Sequence, residues 1–148
     1  TGLLFGHYTY GDVLGKQWKR VPLLIGINWF VIVFCSASVM LALQARVRAS
    51  AQAIEKTIPR SIEILSFILD SALLAVFFDW LMEPVAIKLG FWQWENGVIP
   101  AYNYVCWLLT AMVLLGILRL FSLTRPNHFA VHLFIIQALF FLALRVLL

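Results

Sequence analysis

Four apolar runs, each close to the length of a membrane-spanning helix, constrain this chain more than any other feature. They cover about 21–43, 62–85, 102–120 and 129–148. A helix needs about 20 mainly apolar residues to cross a bilayer, whereas the strands of a membrane β-barrel alternate apolar and polar residues. The runs lack this alternation, and 63% of the chain is hydrophobic. We therefore predict an all-α, polytopic membrane bundle with four transmembrane helices, forming a single domain over 1–148.

The segments that flank the first run extend this prediction. Thr1 to Lys19 has no initiating methionine, basic leader or cleavage site, so we interpret it as an interior loop and expect further helices before Thr1 in a longer protein. After the first run, Ala45, Ala49 and Ala53 recur at helical spacing without glycine or proline. The first helix is therefore expected to continue beyond the apolar run, and Pro59 to fall in the first turn of the next helix.

A net charge of +4 raises the question of a nucleic-acid partner. The cations lie next to the ends of the predicted helices, where interaction with anionic lipid and the positive-inside tendency explain them more simply. We predict membrane lipid as the surrounding partner and no nucleic acid. The oligomeric state is left open.

The stretch from Glu83 to Trp107 is unusually rich in aromatic and acidic residues for a connection between two spans. It holds Trp92, Trp94 and Glu95 together with two prolines. Tryptophan and tyrosine collect at membrane interfaces by partitioning alone, which is one interpretation. The other is an aromatic lining that stacks on a polyene or stabilises a carbocation through its π faces. Both interpretations stay open at this point.

Carboxylates within the second apolar run are costly to insert and therefore informative. A charged residue near the bilayer centre costs about 2.5 to 3.5 kcal/mol on insertion scales. Asp79 and Glu83 are four residues apart and share a helix face, whereas Asp70 points to the opposite side. Asp79 and Glu83 lie at the end of the run that enters the aromatic loop, so they are the better catalytic candidates. The alternative for Asp79 is a structural carboxylate that a tryptophan, tyrosine or asparagine satisfies.

Two further groups of polar residues offer weaker signals. The opening segment places His7, Tyr8, Tyr10 and Asp12 in a glycine-rich, turn-forming stretch beside the membrane. His128 and His132 are spaced as two possible ligands on one helix face, but two imidazoles do not complete a metal or haem site. We predict no metal. A haem- or quinone-binding electron carrier remains the least favoured interpretation.

The order of aromatic, glycine, proline and polar residues along the chain resembles one membrane protein family. The residues that carry the resemblance are Phe5, Gly6, Tyr8, Tyr10, Leu14, Gly15, Val21, Pro22, Leu23, Trp29, Asp79, Pro84, Trp92, Trp94, Pro100, Asn103 and Trp107. They are similar to those of the carotenoid biosynthesis proteins that include bisanhydrobacterioruberin hydratase and the related carotenoid 1,2-hydratases. These hydratases often have Asp-Pro where this chain has Glu83-Pro84, so the carotenoid itself is left open.

The resemblance implies a cofactor-independent hydratase in the cytoplasmic membrane of a bacterium or archaeon. The reaction would add water to the terminal double bond of an acyclic carotenoid that enters from lipid. Residue type and placement suggest Asp79 as the acid and Glu83 or Glu95 as the group that positions water. The predicted substrate-binding residues are Trp92, Trp94, Tyr102, Asn103, His7, Tyr8, Tyr10 and Asp12. The alternative is a membrane protein that binds carotenoid or lipid without turnover.

Overall fold

Four long helices make up most of the computed structural model, which describes residues 5–54, 57–121 and 125–148. They are α1 (Leu23–Ala53), α2 (Arg60–Lys88), α3 (Ala101–Leu120) and α4 (His128–Leu147). Each is long and apolar enough to cross a membrane. The predicted helical membrane bundle is confirmed, and α1 continues ten residues beyond the first apolar run, as its alanine spacing indicates.

Prolines and one asparagine mark where the helices begin. Pro22, Pro59 and Pro100 occupy the N-cap positions of α1, α2 and α3. Pro59 therefore precedes α2 and does not lie in its first turn, which corrects the sequence interpretation. Asn127 caps α4, where its side-chain oxygen accepts a hydrogen bond of 3.1 Å from the Ala130 N–H.

Helix α2 is the centre of the bundle and packs along each of the other three helices. Small residues at its contacts, including the fully buried Ala72 and Ala75, allow close approach. Packing of this kind drives helix association in lipid, where burial of apolar side chains alone gives little. Helix α1 also packs along α4, but α1 and α3 touch only sparsely. A cleft therefore runs between α1 and α3 over one face of α2.

Two short antiparallel strand pairs lie at the end of the bundle where α1 begins and α2 ends. Strand β1 (Tyr8–Tyr10) pairs with β4 (Trp92–Trp94), while β2 (Gln17–Trp18) pairs with β3 (Val21–Pro22). We call the β1–β4 pair the lid. It connects the opening segment to the loop between α2 and α3, a connection that the sequence analysis did not predict.

The lid has one aromatic face and one polar face because strand side chains alternate. Tyr8 lies opposite Trp94, and Tyr10 lies opposite Trp92, with ring centroids 4.9 and 6.3 Å apart. The intervening pair, Thr9 and Gln93, is exposed. The four rings therefore face the bundle and the polar pair faces away from it.

Pro84 interrupts the hydrogen bonding of α2 one residue after Glu83. Proline has no N–H, so the carbonyl of Trp80 loses its partner in the helix. Arg145 near the end of α4 replaces it: its Nη1 donates to the Trp80 oxygen at 2.9 Å, and its guanidinium lies 3.9 Å from the Trp80 ring centroid. The interrupted end of α2 is thereby held against α4.

Gly11 lets the lid approach the end of α2, which yields a first prediction. Its N–H donates to the Phe91 oxygen at 2.9 Å, and a Cβ at this position would lie 2.0 Å from the Gly90 oxygen. We expect Gly11→Ala to lower the stability of the lid by about 2 kcal/mol, because the backbone oxygen cannot rotate away. Hydrogen exchange of the lid amides in detergent measures this.

The matched control is Gly26→Ala on α1, where an added Cβ meets nothing within 4 Å. It introduces the same methyl group into an exposed helix position that favours alanine. Unchanged lid exchange in Gly26→Ala and faster exchange in Gly11→Ala are expected. Equal exchange in the two variants would contradict the close approach at Gly11.

Candidate active site

A cavity of about 410 Å³ lies beneath the lid, between the adjoining ends of α1, α2 and α3. Most of its wall is apolar and aromatic, with a few polar groups among the rings. Its lining residues are Phe5, Tyr8, Tyr10, Val21, Ile25, Asn28, Trp29, Asp79, Met82, Glu83, Trp92, Trp94, Asn103, Trp107 and Thr110. An apolar pocket of this size with a few convergent polar groups has the features of a small-molecule site.

Glu83 connects the helical bundle to the lid. Its side chain is 2% exposed, and one oxygen, Oε1, accepts hydrogen bonds from both lid tryptophans. The Trp92 Nε1 lies 2.7 Å away, and Trp94 Nε1 is the second donor. Strand alternation directs both indoles inward, so a single carboxylate oxygen anchors β4. Hydrogen bonds of this kind are strongest when the acceptor is ionised.

Asp79 lies one helical turn before Glu83 and lines the same cavity, as the four-residue spacing predicts. It is 1% exposed, and its Oδ2 has no hydrogen-bond partner among the described residues. The Nδ2 of Asn103, also buried, lacks a partner there as well. Leaving a buried polar atom unpaired costs about 1–3 kcal/mol. Asp79 and Asn103 line the same cavity, so a molecule bound there can supply a partner to both.

The inner face of the lid supplies neutral aromatic walls. The hydroxyls of Tyr8 and Tyr10 are 3.0 Å apart. Burial raises the pKa of Tyr10, and its hydrogen bond to Tyr8 and the charges of Tyr8 and Glu83 raise it further. The Tyr10 hydroxyl therefore keeps its proton at physiological pH. Together with the tryptophans it presents π faces to the cavity without adding a charge.

Three aromatic rings form the part of the cavity wall where α1 and α3 face each other. Trp29 on α1 and Trp107 on α3 stack face to face with ring centroids 3.4 Å apart and planes 3° apart. Phe5 meets both indoles edge-on, at 6.0 and 6.4 Å. This stack bridges α1 and α3, which otherwise touch sparsely.

Comparison with known protein families shows what this chain is similar to. One family, described as "Carotenoid biosynthesis protein", matches residues 1–148. The chain belongs to this family. The resemblance stated from the sequence is thus confirmed, and the protein is an integral membrane protein with a role in carotenoid biosynthesis. Neither a curated protein nor a solved structure matches the chain.

Four of the residues that the sequence suggested for the site do not line the cavity. Glu95 and His7 are on the outer side of the lid, with side chains 67% and 73% exposed and 4.0 Å between His7 Nδ1 and Glu95 Oε2. Tyr102 is half exposed at the start of α3, and Asp12 is exposed in a short 3₁₀ helix. The cavity thus brings together Asp79, Glu83, Asn103 and the candidate aromatic residues Tyr8, Tyr10, Trp92 and Trp94.

Several lining residues were not predicted as site residues from the sequence. Trp29 was named only for the family resemblance, and Trp107 for the resemblance and as the end of the aromatic stretch. Asn28 and Thr110 were not named. A polar side chain within an otherwise apolar run was the available signal for Asn28 and Thr110. For the tryptophans, interfacial partitioning explains the residue type equally well.

The remaining polar candidates lie elsewhere in the bundle. Asp70 accepts a hydrogen bond of 2.5 Å from Ser66 and does not line the cavity. His132 Nδ1 is 2.7 Å from the His128 backbone oxygen, at the start of α4. Among residues 5–54, 57–121 and 125–148, no three histidine, cysteine, aspartate or glutamate residues lie together as a metal site.

Proposed function

We propose that the protein is a carotenoid hydratase, which adds water across the terminal double bond of an acyclic carotenoid. The observation that carries the proposal is the pair of buried carboxylates, Asp79 and Glu83, in one aromatic-walled cavity. Hydration of an unactivated alkene needs an acid, a wall that tolerates a carbocation and a held water. The lined cavity offers a group for each requirement.

Asp79 is the proton donor in this mechanism. The residue lines the cavity, and its buried Oδ2 has no partner in the described chain, which leaves this oxygen to carry the proton. Its proton passes to the CH carbon of the terminal double bond, and the π electrons form the new C–H bond. The adjacent carbon, which bears two methyl groups, becomes a tertiary cation.

Glu83 and Asn103 hold the water that ends the reaction. Glu83 uses Oε1 to anchor the two indoles, and its other oxygen is the acceptor for a water proton. The unpaired Nδ2 of Asn103 donates to the same water. The water oxygen bonds to the cation, and the proton it releases returns to the carboxylate pair, which restores the acid. The product is a tertiary alcohol, and no redox step occurs.

The rings of the lid stabilise the cation while it exists. A cation over the face of an indole or phenol is attracted by the ring quadrupole, more strongly where water is excluded. Trp92, Trp94 and Tyr10 surround the two carboxylates on the lid side. Glu95, exposed on the outer face of the lid, takes no part in this proposal.

The test is expression in a bacterium that accumulates lycopene, with pigments separated by liquid chromatography and identified by mass. Hydration gives products heavier by one water molecule for each modified end group, and cells with the empty vector lack them. We propose the cytoplasmic membrane of a bacterium or archaeon as the location of the protein, and a bacterial host provides such a membrane. Unchanged pigment together with carotenoid bound to the purified protein would favour the non-catalytic binding alternative.

A further inference from the structure

The Trp29–Trp107 stack has no part in the proposed chemistry, although it lines the same cavity. Along α1 the lining residues begin at Val21 and end at Trp29, and along α3 they extend from Asn103 to Thr110. The stack therefore belongs to the cavity wall on the side where α1 and α3 face each other. Its two rings come from helices that make few other contacts with each other.

The size of the cavity means that a long polyene cannot fit inside it. On α3 the lining extends from Asn103 to Thr110, about 11 Å along the helix, which is much shorter than an extended C40 polyene. Only the reacting end of a carotenoid fits in this space, and the rest of the chain must leave it. The lid closes the surface end, and α2 forms the wall that carries the carboxylates. The cleft between α1 and α3, at the stack, is the remaining side among the described residues, because these two helices touch only sparsely.

We propose that Trp29 and Trp107 form a subsite for the conjugated chain of the substrate. On binding, the two rings part and the polyene passes between α1 and α3 against the indole faces. Flat π systems favour stacked and edge contacts with aromatic rings, and Phe5 already meets both indoles in an edge geometry. The subsite rests on the proposed function for the identity of the reacting end, whereas its binding of a polyene is measurable without turnover.

This subsite favours conjugated chains over flexible, unconjugated ones with the same terminal group. A rigid, planar polyene loses little conformational freedom in the cleft and stacks along its length. An unconjugated isoprenoid such as squalene has the same terminal double bond but no extended π system. The lid and the carboxylates contact the same end group in the carotenoid and in squalene. The stack is therefore the part of the site that distinguishes the two substrates.

The experiment compares lycopene and squalene in Trp29→Leu and Trp107→Leu variants reconstituted in lipid nanodiscs. The matched control is Trp18→Leu, since Trp18 is exposed in β2 and does not line the cavity. For lycopene we expect KM to rise about tenfold with kcat within about twofold, from loss of one ring contact. For squalene KM stays within about twofold, and Trp18→Leu leaves KM for both substrates unchanged.

Pigment retained by the purified protein provides a second readout that does not need hydration. The amount of lycopene bound per protein is expected to fall in both cleft variants and not in the control. Trp29→Phe keeps a ring and is expected to have an intermediate effect, so it tests the subsite even where leucine impairs folding. An equal loss of squalene and lycopene, or no loss of either, would overturn the subsite. Retention that changes as expected without any hydration would overturn the proposed reaction and leave the subsite intact.

Discussion

Replacing Asp79 by asparagine is expected to lower the rate of carotenoid hydration by at least about 10³-fold. A positioned general acid contributes about 10²–10⁴-fold, and an unactivated alkene depends strongly on proton donation. Asparagine keeps the shape of the side chain and has no acidic proton. Because the side chain is 1% exposed, solvent acids cannot easily replace it. The measurement is product formed per purified protein, together with its elution in size-exclusion chromatography.

Asp70→Asn is the matched control for this variant. Asp70 lies on the opposite face of the same helix, accepts a hydrogen bond from Ser66 and does not line the cavity. Removing its charge is expected to leave hydration within about twofold, because it does not contact the substrate. Equal activity of Asp79→Asn and the wild type would remove Asp79 as the acid. Equal loss in both variants would point to a general effect of charge in α2.

Helical periodicity predicted the parts of the site that depend on a single helix. Apolar runs of span length predicted the bundle, and a four-residue spacing placed Asp79 and Glu83 on one face and Asp70 on another. Both patterns are local, so they can be read without knowing how the helices pack. The same reasoning could not separate Glu95 from the buried carboxylates. Glu95 follows β4 directly, and its exposure depends on how the lid folds over the bundle.

The features that the sequence did not reveal require contacts between distant segments. The lid pairs three residues near the start of the chain with three between α2 and α3, and strands this short carry little pattern of their own. The Trp29–Trp107 stack depends on the relative rotation of two helices. The hydrogen bond from Arg145 to Trp80 replaces one that Pro84 removes, and proline alone does not indicate which side chain will do so.

Two substitutions of Glu83 are expected to distinguish the effect of its charge from the effect of its hydrogen bonds. Glu83→Gln keeps a carbonyl oxygen that can accept from Trp92 and Trp94, but it removes the anion. We expect hydration to fall about 10²-fold, comparable with the loss of one electrostatic group in other enzyme sites, while the lid stays closed. Glu83→Leu removes both charge and acceptor. It leaves two buried indole N–H groups without a partner, at about 1–3 kcal/mol each, so the lid is expected to open.

Limited proteolysis within the lid and its following loop, monitored beside product formation, distinguishes these two effects. Glu83→Leu is expected to be cleaved faster than Glu83→Gln, because only the leucine variant loses the anchor of β4. Glu95→Gln is the control: its side chain is exposed on the outer face of the lid, so neither cleavage nor hydration changes. Slow cleavage of Glu83→Leu would mean that strand pairing with β1 alone holds the lid. Full activity of Glu83→Gln would mean that the amide replaces the carboxylate in holding the water, and Asp79 would then be the only carboxylate that the reaction requires.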